Sequence, residues 1–134
     1  MKQNIFLITV LFLSFCQKPK ETELNDPEWR KESLEISYKI CSKLGSCVVD
    51  DFTKLKKGLQ NYSKAEIKPE KCNEKHKKSR VFLLKGSDPL KIKETARACF
   101  TEFEKLSCEE IRSGGINKII PCENMKKIQQ GITF

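Results

Sequence analysis

Residues 88–108 read DPLKIKETARACFTEFEKLSC, and their spacing decides the fold class. Asp88 before Pro89 is a helix opening. An aspartate at the N-cap accepts from a free first-turn amide, and proline is tolerated next because the N–H it lacks would have no partner there. Beyond it Ile92, Ala96, Cys99, Phe103 and Leu106 recur every three or four residues, which places all five on one helical face. An amphipathic helix with a single apolar stripe needs a partner to cover it. Ser107 and Glu110 have the spacing of a capping box and predict a short extra turn that ends at Gly114-Gly115.

The same logic extends in both directions. Asp26-Pro27-Glu28 opens a helix, with Glu28 near its positive end. Trp29, Ile36, Ile40 and Leu44 form its apolar stripe, and Gly45 is placed to close it. A second helix is expected from about Val48, with Val48, Phe52, Leu55, Leu59 and Tyr62 on one face and Asp50 and Asp51 in its first turn. A third segment runs from Pro69, carries Cys72, Phe82 and Leu83, and stops at Gly86. A last helix spans Pro121 to Gln130, with Met125 and Ile128 facing inward and Gly131 after it. No stretch shows the two-residue alternation of a half-buried strand. The expectation is an all-α domain over residues 26–134, a compact bundle of four to five short helices.

The chain has 134 residues and seven cysteines. The first, Cys16, ends an apolar run of eleven residues, Ile5 to Phe15, that follows Met1-Lys2-Gln3-Asn4. That run is shorter than the ~20 residues a bilayer-spanning helix needs and suits the apolar region of a secretion signal. Residues 1–15 are therefore read as a removable signal, and residues 16–25 as Cys16 plus a solvated tether. Setting Cys16 aside leaves Cys41, Cys47, Cys72, Cys99, Cys108 and Cys122. An even number in an exported domain implies three disulfides. For a body with 33% charged residues and a thin core, three bridges at roughly 2–4 kcal/mol each are a large part of the stability.

Two stretches look alike: Asp26-Pro27 to Cys47, and Asp88-Pro89 to Cys108. Their Asp-to-Cys separations are 21 and 20, the difference being Gly45. Each is followed by a proline just before another cysteine, at Pro69/Cys72 and Pro121/Cys122. A duplicated helical hairpin accounts for the pattern, as does the general habit of helices to open with Asp-Pro. On the duplication reading the symmetric pairing is Cys47–Cys72 and Cys108–Cys122 within halves, with Cys41–Cys99 joining the first and fourth helices.

Leu13-Ser14-Phe15-Cys16 resembles a bacterial lipobox, in which Leu precedes by three positions the Cys that becomes the lipidated N-terminus. Phe15 stands where the usual motif has a small residue, a looseness that spirochaete lipoproteins share. With its signal, loose lipobox and Lys/Glu-rich helical body with six further cysteines, the chain resembles the small lipoproteins of spirochaetes such as Leptospira. The resemblance implies lipidation at Cys16 and attachment to the outer or inner membrane, on the periplasmic or the surface face. An unanchored, secreted protein is the alternative. No catalytic residue comes with the resemblance.

The formal net charge is +8, and loss of residues 1–15 removes only Lys2. A basic exterior suits anionic neighbours: lipid headgroups, anionic glycan or acidic proteins. Nucleic acid is a poor partner outside the cytoplasm. Lys64, Lys68, Lys71, Lys75 and Lys78 are spaced as one helical face, a candidate anion-binding ridge, with Glu66, Glu70 and Glu74 alongside. Cys72 and His76 share a face at four residues apart, but His76 is the only histidine and a disulfide-bonded Cys72 is no ligand. Gly114-Gly115 lacks the strand and lysine of a phosphate loop. No metal, cofactor or catalytic set is expected. The expected function is a non-catalytic binding or adhesion module of the cell envelope, with a structural or accessory envelope protein as the alternative.

Overall fold

The computed structural model describes residues 24–52 and 68–132. The stretch read as a signal, Cys16, the expected tether as far as residue 23, the part of the expected second helix beyond Phe52, and Lys64 lie outside the described residues. Within them every regular element is helical: α1 (Pro27–Phe52), α2 (Pro69–His76), α3 (Arg80–Leu83), α4 (Pro89–Lys105), α5 (Cys108–Arg112), a 3-10 turn (Gly115–Lys118) and α6 (Ile120–Gln129). The all-α, disulfide-linked body expected from the sequence is what forms. Asp26 Oδ1 accepts from the Trp29 amide at 2.9 Å, and Asp88 Oδ1 from that of Lys91 at 3.0 Å. Ser107 and Glu110 form the reciprocal capping box. The turn after it needs both glycines. Gly114 is left-handed at φ 81, and a Cβ on Gly115 would lie 2.8 Å from the Glu110 carbonyl oxygen.

α1 and α4 run parallel, tied along their length. Lys93 pairs with Asp26, Arg97 forks onto both oxygens of Glu32 at 2.6 and 2.7 Å, and Lys43 donates to the Phe103 and Glu104 carbonyls. The hydrogen bond from Lys93, then that from the Trp29 amide, holds the Asp26 carboxyl below its ordinary value, and Arg97 does the same for Glu32. α6 returns antiparallel against α4. Trp29, Val81, Leu84, Ile92, Ala96 and Ile128 form one buried cluster. Cys47, Phe103 and Ile111 form a second, with Ile40, Leu44 and Ile116 packed on it. The Trp29 indole N–H donates to the Val81 carbonyl at 2.9 Å, so the largest buried side chain carries no orphaned donor.

Three expectations are corrected. Gly45 does not end the first helix, which continues through it to Phe52. A terminating glycine would need positive φ, and Gly45 is not among the residues that have it. Cys47, 2% exposed, is packed on Phe103 and Ile111 and bonded to Cys108, and Arg112 donates to its carbonyl. That anchoring outweighs the roughly 1 kcal/mol a helical glycine costs.

The third segment is two helices. Ser79, at φ −80 and ψ 153, leaves the helical region and accepts from the Phe82 amide, which starts α3. The chain then reverses through Leu84 at φ 52, so Val81, Phe82 and Leu84 are buried and Leu83 is only partly covered.

The disulfides are Cys41–Cys72, Cys47–Cys108 and Cys99–Cys122, and none of the three expected pairs forms. The α1/α4 register explains why. With Lys43 at the Phe103 and Glu104 carbonyls, the residue facing Cys41 lies about a turn beyond Cys99. Cys41 instead meets α2, Cys99 meets α6, and Cys47 meets the first residue of α5. Each look-alike stretch still closes a bridge to its own Pro-flanked cysteine, and one bridge joins the two. The bridging role belongs to Cys47 and Cys108, where the expectation gave it to Cys41 and Cys99.

Candidate ligand-binding groove

α4 is packed on both α1 and α6, but α1 and α6 scarcely touch each other, and the space between them is a groove floored by α4. Its inner part is a cavity of about 100 Å³ beneath Trp29, reached by Ser33, Ser37, Val81 and Ala96. Its outer part, about 330 Å³, is lined by Phe103, Ile116 and the Cys99–Cys122 bridge, with Asn117, Glu123 and Lys126 at its rim. Ile40, Met125 and Gln129 line both and form the waist between them. The gap follows from side-chain size. On the α1 stripe, where a bundle of this type would carry large apolar residues, stand Ser33 at 2% and Ser37 at 9% exposure. Ala96 faces them from α4.

The polar groups of the inner cavity are few. Ser33 donates to the Arg30 carbonyl at 3.3 Å. Ser37 Oγ has no hydrogen-bond partner among the described residues. Gln129 Oε1 is taken by the Arg80 amide at 2.9 Å, which fixes the side chain with its NH2 on the other side. His76 closes one end. It packs edge-on against Phe82 at 5.6 Å, its Nδ1 lies 3.3 Å from Ser79 Oγ, and its Nε2 is buried with no partner. Burial lowers its pKa from 6.5 to about 4, so the ring is neutral at pH 7. The contact with Ser79 has the look of a nucleophile–base pair but not the chemistry. Ser79 is committed to capping α3, and a base near pH 4 is badly matched to proton abstraction at neutral pH.

The run Lys75-His76-Lys77-Lys78 reads from sequence as a solvated basic stretch, and for His76 the structure corrects this. His76 turns inward while Lys75, Lys77 and Lys78 face solvent. Cys72 is bonded to Cys41 and offers no thiolate. The lysine ridge is broken as well. Lys71 and Lys75 lie on α2, Lys68 is its N-cap, and Lys78 is in the turn before Ser79. All four are exposed, and Lys71 is paired with Glu74 at 3.3 Å. Among the described residues no group of three or more His, Cys, Asp or Glu side chains is placed to hold a metal ion. No protein family matches the chain, and neither does any curated protein or solved structure.

Proposed function

We propose that this chain is an exported lipoprotein, held on the cell envelope through lipid on Cys16, whose helical domain is a non-catalytic binding module. The cysteine pattern carries this reading. Three bridges consume Cys41, Cys47, Cys72, Cys99, Cys108 and Cys122, which leaves Cys16 as the odd one of seven. Disulfides belong to oxidising compartments, and the odd cysteine falls at the end of an apolar run of signal type. Eight residues on from Cys16, at Leu24, the described domain begins, so a tether of at most ~28 Å would hold it beside the bilayer.

The groove supports binding. Against catalysis, the bridged cysteines offer no thiol nucleophile and the one imidazole is a weak base. The exposed lysines around α2 suit an anionic surface nearby, whether glycan, lipid headgroup or acidic protein. Two acyl chains, at about 0.8 kcal/mol per buried methylene, anchor stably. The test is detergent phase partitioning of wild type and Cys16→Ala. Wild type enters the detergent phase and the variant the aqueous phase; a wild type that is already aqueous refutes the anchor.

A further inference from the structure

We propose that the groove binds a neutral single-chain amphiphile, with a compact hydroxyl or carbonyl head against Ser37 in the inner cavity and an alkyl chain in the outer one. This deepens the binding-module reading and rests on it.

Four observations converge. The groove is long and narrow, running between two helices that are bridged by α4 and do not close on each other. Its outer part is walled by aliphatic, thioether, disulfide and phenyl surface, which offers an alkyl chain contact and removes it from water. Its inner end carries the Ser37 hydroxyl, on a residue 9% exposed, and beside it His76 Nε2, which is buried with no partner. A buried polar group without a partner is costly, and a ligand oxygen supplies one. No charged side chain lines the inner cavity, so an ionised head placed there would be left uncompensated. The head must therefore be polar and uncharged. The Gln129 amide, with its oxygen already occupied, has donors to offer the same oxygen.

Trp29 supplies the readout. It is the only tryptophan of the chain and its ring roofs the inner cavity. The experiment titrates the full chain carrying Cys16→Ser with 1-octanol, sodium octanoate and glycerol at neutral pH, following Trp29 emission and thermal midpoint. Octanol is expected to give a saturable one-to-one change and a raised midpoint. Octanoate should bind about tenfold or more weakly, and glycerol not at all. Ser37→Ala, which keeps the space and removes the hydroxyl, weakens octanol several-fold. Ser37→Leu fills the cavity and abolishes the response; should it not fold, Met125→Phe narrows the waist from α6 to the same end. Every variant keeps the apolar leader, so differences among them report the groove. No saturable response to octanol overturns the proposal. So does octanoate binding as tightly as octanol, or a folded Ser37→Leu that binds unchanged. The anchor at Cys16 is read by phase partitioning of a different variant, so a failure of the groove leaves that result standing, and the reverse holds as well.

Discussion

Protonating His76 has a cost that can be worked out in advance. In the unfolded chain the imidazole titrates near 6.5, whereas in the fold burial lowers this to about 4. A base whose folded pKa is depressed stabilises the fold above its unfolded pKa. That stability is lost as pH falls through 6.5 toward 4, because the unfolded chain binds the proton first. Linkage with these two values gives a loss of about 1.4 kcal/mol at pH 5.5 and about 2.5 kcal/mol at pH 4.5, relative to pH 7.5. Solvent reaching the partly covered ring makes these upper values. For a domain of this size the thermal midpoint falls by roughly 4 °C per kcal/mol, hence by about 6 °C and about 10 °C.

Other groups enter only lower on the scale. Asp26 is held down by Lys93, Glu32 by Arg97 and Glu110 by the Ser107 amide, so each stays ionised until pH falls below its ordinary value of 3.8 or 4.5. Their stabilisation begins to be lost as the unfolded carboxyls take up protons near 4.5 and 3.8, so the window from pH 7 to about 5.5 isolates His76. Scanning calorimetry of wild type and His76→Gln across it should show a sloping midpoint for wild type and a nearly flat one for the variant. A wild-type midpoint constant from pH 7 to 5 would refute the burial argument, and a His76→Gln slope equal to that of wild type would assign the effect to another group.

The remaining predictions concern the scaffold. Closing loops of 61, 31 and 23 residues, the bridges Cys47–Cys108, Cys41–Cys72 and Cys99–Cys122 should contribute about 4.3, 3.7 and 3.4 kcal/mol by chain entropy. Paired Cys→Ala variants compared by urea denaturation should follow that order, and a smallest loss for the 47/108 pair would contradict it. Phe103→Ala, at a site 1% exposed, should cost about 3–5 kcal/mol, while Lys75→Ala at an exposed position should change the urea midpoint very little. Equal losses would mean that the second core cluster is wrongly placed.

The parts of the fold legible in the sequence are those set by neighbours in the chain. Asp26, Asp88 and Ser107 cap helices because an N-cap interaction involves residues two or three apart, and the α4 stripe from Ile92 to Phe103 is buried because periodicity alone defines its face. The errors arise where distant residues decide. Gly45 had the local marks of a helix stop, but Cys47 two residues on is buried and bridged to Cys108, a contact 61 residues away that no local rule contains. The disulfide pairing failed for the same reason. Which cysteines meet depends on how α1 and α4 lie along each other, a register marked by Lys43 at the Phe103 and Glu104 carbonyls and by Arg97 at Glu32. Ser79 is a different case. A serine is a local helix-start residue, and Ser79 acts as one here, dividing the segment from Pro69 to Gly86 into two helices.

The groove illustrates why a site of this kind escapes pattern reading. Its defining residues, Ser33, Ser37 and Ala96, are small, and helical periodicity weighs large apolar side chains. A serine at a core-facing position registers only as a gap in the stripe of Trp29, Ile36, Ile40 and Leu44. Such a gap has two physical outcomes. Either the partner helix closes in and buries the backbone more tightly, or it is held off and a cavity remains. Here the second holds, because α6 is fixed on α4 by Cys99–Cys122 and by Ile128 in the Trp29 cluster, so it cannot move across to cover α1. Thus the bridges that stabilise this thin-cored domain also keep the groove open, and reducing Cys99–Cys122 should let α6 relax toward α1 and close it.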